Sequence, residues 1–296
     1  MGAFHVPATL VRMGARLVSR RAFDPGLPWE VQRRRLDRLV RSWPLQRGVL
    51  VTKTVLNGVR VEVVTATGAP AVTVVHFHGG GYCVGSPAEA RDWAAYLSAR
   101  AECRTILPDY RLAPEHPYPA ALEDARAVLR AVLAETKPDT LVVSGDSAGG
   151  GLALIIAQGE PRLAGCMLMS PWLDLTANWS AHPELARRDV ILTPAWLEAC
   201  AEAYAQEADR AQPTISPLHG NLEGLPPLLI QCGTDDLVAP DAESLAARAR
   251  SAGVDVTATP WPRLWHNFPL QPDLLAAADA AVTQAASFIA RVCATD

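Results

Sequence analysis

Residues 140–158 read TLVVSGDSAGGGLALIIAQ, and three local signals follow one another there without a gap. Thr140 to Ser144 is a short β-branched and apolar run, the mark of a strand covered on both faces. Gly145-Asp146-Ser147-Ala148-Gly149 then forms the pattern GxSxG, and Ala148 to Gln158 has the composition of a helix. A strand that feeds a helix through such small residues turns sharply, and glycines at 145 and 149 leave room for the turn. Ser147 Oγ would then stand exposed at the helix N-terminus. The flanking strand and helix decide the matter, since the same five letters elsewhere would make only a glycine-rich turn.

Outward from this unit, short strands alternate with helical patterns. Upstream lie strands at Val49 to Leu56, Val59 to Thr65, Ala71 to Phe77 and Cys103 to Leu107, with helices at Ala88 to Arg100 and Ala120 to Ala134. Downstream come strands at Ala164 to Met169, Pro227 to Cys232 and Val254 to Thr259, and helices at Asp241 to Ala252 and Pro272 to Val292. Runs such as PLLIQCG, apolar on both faces, predict an α/β fold with a central parallel sheet under helices. Two segments break the rhythm: the first 45 or so residues, and Trp172 to about Ser216. An insertion after a sheet strand sits over the strand ends, where ligands bind in open α/β sheets, so both segments are lid candidates. No repeat, low-complexity tract or linker to a second domain is evident.

Composition narrows the functional classes. The 296 residues are 49% hydrophobic and 20% charged, which excludes a disordered or fibrous chain. A net charge of −4 gives no whole-molecule basic field, so a nucleic-acid partner is not expected. Residues 1–50 nevertheless hold ten arginines against Asp24, Glu30 and Asp37, a local +7. Arg12, Arg16 and Arg20 recur at helical spacing and are expected on a solvated face, with an Arg-rich transit peptide as the alternative. No apolar run reaches the ~18 residues of a spanning helix, and MGAFHVPATL lacks the features of a secretory signal. The expectation is a cytoplasmic protein with no membrane partner. Cys83, Cys103, Cys166, Cys200, Cys232 and Cys293 include no CxxC pair, as suits reduced, buried thiols. The only lysines, Lys53 and Lys137, do not follow a glycine, which excludes phosphate-loop chemistry.

The strand Ala71 to Phe77 ends in His78-Gly79-Gly80-Gly81-Tyr82. Three glycines in a row bare their N–H groups to an approaching ligand, and donors aimed at a developing oxyanion are worth about 3 kcal/mol of barrier each. A serine hydroxyl needs an imidazole base that is itself oriented by a carboxylate, and in this kind of fold both follow the serine. After Ser147 the histidines are His182, His219 and His266, of which His266 alone lies in a loop just past the last strand. The acid is expected to leave the preceding strand, which runs into Gly233-Thr234-Asp235-Asp236; Asp235 is the first choice and Asp236 the next. Asp241 is expected to cap the helix that follows.

HFHGGGY, PDYRLAPEHPYPA (108–120), GDSAGGGLA (145–153), SPWLDLT (170–176) and GLPPLLIQCGTDDLV together resemble the hormone-sensitive-lipase-like family of α/β-hydrolases, its microbial carboxylesterases in particular. The resemblance spans about residues 49–291. It implies an eight-stranded, mostly parallel sheet flanked by helices, with a helical cap made from segment 1–48 and an insertion at about 172–216 of the catalytic domain 49–296. Ser147, Asp235 and His266 fall on the family's triad positions. Gly80, Gly81 and Ala148 fall on its oxyanion-hole positions, Gly79 is the motif's first glycine, and His78, Tyr82 and Asp146 complete the motifs. Neither cofactor nor metal is implied, and the expected partner is a small-molecule ester, with self-association left open. Two departures stand out. Asp235-Asp236-Leu237 replaces the family's DPL, and His266-Asn267-Phe268 replaces its HGF, so the loop after the base is expected to differ in backbone geometry.

The resulting expectation is a serine carboxylesterase for short acyl esters, with Trp29, Trp43, Trp172, Trp179, Trp196 and Tyr204 filling volume over the strand ends or packing as the cap's own core. The alternatives are a non-catalytic small-ligand receptor on the same fold, an acyltransferase or amidase using the same triad, and a metal-dependent hydrolase built on His76 and His78.

Overall fold

The computed structural model describes residues 5–40, 48–66 and 70–294. Helices α1 (Ala8–Ala22) and α2 (Trp29–Val40) precede a hairpin of β1 (Val49–Leu56) and β2 (Val59–Ala66). Asn57 and Gly58 join the two strands with φ of 45° and 88°, the left-handed pair that matches a tight turn to strand twist. The chain continues through β3 (Val72–Phe77), α3 (Arg91–Ala101), β4 (Cys103–Pro108), α4 (Ala120–Leu133), β5 (Leu141–Asp146), α5 (Ala148–Gly159) and β6 (Gly165–Met169). After an insertion holding α6 (Pro183–Arg188) and α7 (Pro194–Ala205) come β7 (Leu228–Gly233), α8 (Ala239–Ser251), β8 (Val256–Trp261) and α9 (Ala276–Val292).

These strands form one eight-stranded sheet in the order β1-β2-β4-β3-β5-β6-β7-β8. Only the β1–β2 and β2–β4 pairs are antiparallel; from β4 to β8 every neighbour is parallel. Each residue of β5, β6 and β7 is buried, as a sheet covered on both sides requires. Strand alternation divides the core accordingly. Val74, Val142, Met167 and Leu229 meet Trp93 and Leu97 of α3 and Val282 and Phe288 of α9. Their neighbours Val75, Val143, Leu168 and Ile230 share the opposite cluster with Leu122 of α4, Leu152 of α5 and Leu245 of α8.

Helices α1 and α2 and the insertion pack on the loops at one end of this sheet. In α7, Trp196 donates its ring N–H to Gln32 Oε1 of α2 at 2.9 Å and meets Phe23 edge to face. Tyr204 stacks on Tyr82 of the glycine loop with ring centroids 3.8 Å apart. Trp172, Trp179, Trp196 and Tyr204 are all buried, so they serve as packing core rather than as free filling over the strand ends. Trp29 is half-buried, and Trp43 lies outside the described residues. The last helix starts at Ala276 rather than Pro272, because Leu274 and Leu275 turn back onto Gln271 O first. All six cysteines are free thiols, five of them buried.

The turn from β5 to α5 is closely packed. A Cβ on Gly145 would sit 2.1 Å from Gly149 O, and one on Gly149 would sit 2.0 Å from Phe77 O at the end of β3. Both obstacles are backbone and cannot rotate away. Gly149→Ala should therefore lower Tm sharply, whereas Gly159→Ala at the far end of the same helix, with nothing within 4 Å, should leave Tm unchanged or raise it. Equal Tm values for the two variants in thermal unfolding would contradict this.

Candidate active site

Ser147 sits between β5 and α5 with φ 52° and ψ −121°, a conformation that costs a non-glycine residue about 1–3 kcal/mol. The surroundings impose it. Ser147 N–H donates to Met169 O on β6 at 3.0 Å, and its carbonyl accepts from Gly150 and Trp172, each at 3.0 Å. Two neighbouring elements thus fix the serine's backbone in a strained turn, and the residue expected to stand exposed is buried.

The residue before it, Asp146, is buried and joins three elements. Its Oδ1 accepts from Gly79 N–H at 3.0 Å and lies 3.2 Å from His76 Nε2, and its Oδ2 accepts from the side-chain amide of Asn267. His76 is completed by Ser144 Oγ, 3.1 Å from Nδ1. The glycine loop is thereby drawn against the serine: a Cβ on Gly79 would lie 3.1 Å from Ser147 Cβ. Gly80, Gly81 and Tyr82 follow with φ of 107°, 61° and 63°. At Gly81 a Cβ would also collide with Cys200 Sγ of α7, at 2.5 Å. Among the described residues the amides of Gly80, Gly81 and Ala148 donate to no protein group. Gly79 differs from them. Its N–H is spent on Asp146, so it has no donor to offer a ligand.

His78 packs this loop from beneath. Its Nδ1 lies 2.7 Å from Gly79 O, and its ring stacks on Tyr110, whose hydroxyl donates to His78 O at 2.7 Å. Burial lowers the pKa of His78 below the ordinary histidine range, which keeps it neutral. His76 and His78 therefore do not converge on a common point. Among the described residues, the three side chains whose donor atoms come within 4.8 Å of one another are Asp189, Asp236 and His266.

His266 is buried in the loop after β8, and its Nδ1 lies 3.0 Å from Asp236 Oδ1. The first-choice acid, Asp235, does not reach the imidazole. Its Oδ2 accepts from Arg12 of α1 at 2.8 Å. The register differs by one because consecutive side chains of the turn after β7 point apart. Asp235 N–H is held by Leu264 O and Asp236 N–H by Gly233 O, which sends Asp236 inward and Asp235 towards α1. Burial alone would lower the His266 pKa, but the charge and hydrogen bond of Asp236 outweigh it, and Asp189 and Asp146 add to them, so the imidazole titrates above its ordinary value. Burial likewise opposes ionisation of Asp236, and His266 holds that carboxyl below the usual range. With Nδ1–H given to Asp236, Nε2 is left to accept a proton.

Two residues, Asp189 and Ser170, carry the site without having been singled out by sequence. Asp189, from the insertion, accepts from Leu237 N–H at 2.8 Å and so braces the turn that bears Asp236; burial and the Asp236 charge push its pKa up to about 6. Ser170 Oγ accepts from Asn267 N–H at 3.0 Å. Asn267, read as a departure that would change the loop's geometry, adopts φ 55° and ψ 27°, the left-handed conformation glycine reaches freely and Asn tolerates better than most residues. Asp241 also differs from expectation. Instead of capping its own helix it accepts from Leu173 and Asp174 N–H at 2.7 and 3.0 Å, tying the start of the insertion to α8.

A cavity of about 480 Å³ opens beside His266 and Asn267, with Ser19, Glu89 and Gln271 as further polar lining. The rest of its wall is apolar and comes largely from Leu10, Val11, Ala15 and Val18 of α1 and Leu36 and Leu39 of α2. Its size is within the range of small-molecule sites, roughly 300–1,000 Å³.

Sheet order, helical layers and the serine turn are those of an α/β hydrolase. Residues 74–270 match the alpha/beta hydrolase fold family. An acetyl-hydrolase of Streptomyces hygroscopicus is 39% identical over 200 residues, covering 66% of this chain and 67% of the relative. An esterase of Acinetobacter venetianus is 34% identical over 242 residues, 79% and 80% of the two chains. The crystal structure of an esterase from the bacterial hormone-sensitive lipase family superposes with a TM-score of 0.91 at 31% identity, over 98% of this chain and 100% of that one. The chain belongs to this family of α/β hydrolases, and its class is carboxylic ester hydrolase.

If Asp236 is what orients the imidazole, Asp236→Asn should cut kcat/KM by about 10⁴, the cost of losing this carboxylate in serine proteases, while Asp235→Asn stays within about tenfold of wild type. The pH profile gives an independent sign. A base must be neutral to act, so kcat/KM should rise through a pKa above 6.5, and in Asp236→Asn the residual activity should rise through a lower one. An acid limb that does not move, or a larger loss in Asp235→Asn, would contradict the pairing.

Proposed function

We propose that the chain is a serine carboxylesterase for small acyl esters in which Ser147 is the nucleophile, His266 the general base and Asp236 the orienting carboxylate. The observation that carries this is the side-chain hydrogen bond from Asn267 to Asp146. It joins the residue after His266 to the residue before Ser147, and so brings the base loop against the serine turn.

In this mechanism Ser147 Oγ attacks the ester carbonyl carbon while its proton passes to His266 Nε2. The carbonyl π pair moves onto oxygen, where the free N–H groups of Gly80, Gly81 and Ala148 would receive it. Collapse of the tetrahedral adduct breaks the bond to the alkoxy oxygen, which leaves as the alcohol with the proton from His266. Water then attacks the acyl-enzyme with the same base, and the carboxylic acid departs. The strain at Ser147 and the buried imidazole–carboxylate pair are set before substrate arrives, so little reorganisation is needed during the reaction.

Segments 1–48 and about 172–216 act together as a cap on this site, supported by the Trp196–Gln32 bond and by the α1 and α2 residues in the cavity wall. The cavity's volume, in the range of small-molecule sites, supports a small-molecule ester as the substrate. A reducing, cytoplasmic setting suits six free thiols, and no helix among the described residues is long and apolar enough to cross a membrane.

Ser147→Ala should lower turnover by at least about 10⁴ with Tm preserved, and a fluorophosphonate should label wild type at Ser147 alone. Residual activity within tenfold of wild type would overturn the assignment. On aryl esters of increasing acyl length, kcat/KM should peak at about C2 to C6, since each methylene left unburied forfeits about 0.8 kcal/mol. Rates still climbing at about C12 would contradict a preference for short acyl chains.

A further inference from the structure

Helix α1 has a second face that the esterase chemistry does not use. Leu10, Met13 and Leu17 are 57%, 69% and 57% exposed, and their spacing puts them on one stripe of the helix. Of the large hydrophobic side chains exposed among the described residues, most belong to this region: Val6, Leu10, Met13, Leu17, Val18 and, bonded to it through Val6 N–H, Leu274. Water-exposed apolar surface gathered in this way marks an interaction site. The helix Ala8–Ala22 carries four arginines and no acidic residue. Arg12 is held by Asp235, but Arg16 and Arg21 are exposed, have no ion-pair partner among the described residues, and flank the stripe three or four positions from Met13 and Leu17.

We infer that this face of α1 is a docking surface for an anionic lipid bilayer, on which the helix lies parallel to the membrane plane. An apolar stripe bordered by arginines is what such a surface selects, because the side chains enter the acyl boundary while the guanidinium groups stay with the phosphates. The stripe also leads somewhere. Val6, Leu10, Val18 and Leu274 are at once exposed and part of the wall of the cavity that holds His266. An ester dissolved in the bilayer would thus enter the site from the docked side without crossing water. The surface concerns attachment only, since no helix among the described residues is long and apolar enough to span.

The test is sedimentation with sucrose-loaded vesicles of phosphatidylcholine alone and of phosphatidylcholine mixed with phosphatidylserine. The Ser147→Ala protein is assayed beside wild type, so that binding is read without turnover and independently of the esterase assignment. Both proteins should pellet with the mixed vesicles and be released by high salt. Arg16→Gln with Arg21→Gln should weaken partitioning about thirtyfold, at the usual worth of two cations near an anionic leaflet. Met13→Glu with Leu17→Glu should abolish it while hydrolysis of a water-soluble ester is unchanged. These four residues do not line the cavity. Absence of binding to mixed vesicles, or equal binding to neutral ones, would overturn the inference. So would a concentration-dependent dimer in light scattering that Met13→Glu with Leu17→Glu dissolves without any vesicle binding, since the stripe would then be a contact between two copies of the chain.

Discussion

The buried carboxylate of Asp146 is the constraint around which the site is organised. It is buried, so each oxygen must find a donor in the protein. It takes one from the glycine loop after β3 and one from the loop after β8, and stands against His76 on the sheet itself. Three segments distant in sequence meet at one side chain next to Ser147. The same need explains why Gly79 is not equivalent to Gly80 and Gly81: its amide belongs to the carboxylate, and the two glycines beyond it keep theirs.

A second carboxylate works on the insertion side. Asp189 holds the amides of Ile191, Leu192 and Leu237, which ties the insertion to the turn bearing Asp236. Arg12 adds a third tie, from α1 to Asp235 and to the carbonyls of Arg188 and Arg263. The arginine expected on a solvated face is therefore the one that fastens α1 across the loops bearing Asp236 and His266, while Arg16 on the same spacing remains exposed.

What was legible in the sequence was local. The strand Thr140 to Ser144, the turn at Ser147 and the helix after it are specified within nineteen consecutive residues, and strand composition announced the parallel core. His266 could be chosen because it alone follows the last strand. The choice between Asp235 and Asp236 could not be made the same way. Two identical side chains stand side by side, and what separates them is an arginine 223 residues away on one flank and an imidazole 30 residues away on the other. Asn267 illustrates the converse limit. Sequence marks it as a substitution for glycine, but only the structure shows that its backbone keeps a left-handed turn while its side chain gains a partner. The aromatic residues of the insertion were ambiguous for a simpler reason: a buried tryptophan and one lining a pocket look alike until their neighbours are known.

The central claim is that Asp146 holds the base loop to the serine turn through Asn267, and a double-mutant cycle measures that link directly. Asp146→Asn keeps an acceptor for Gly79 but presents an amide to the Asn267 amide; Asn267→Gly keeps the left-handed turn and removes the tether. If the two side chains act through each other, each single variant lowers kcat/KM and the double variant is no worse than the poorer single. Losses that multiply in the double variant would show that the two residues act separately, and would contradict the account.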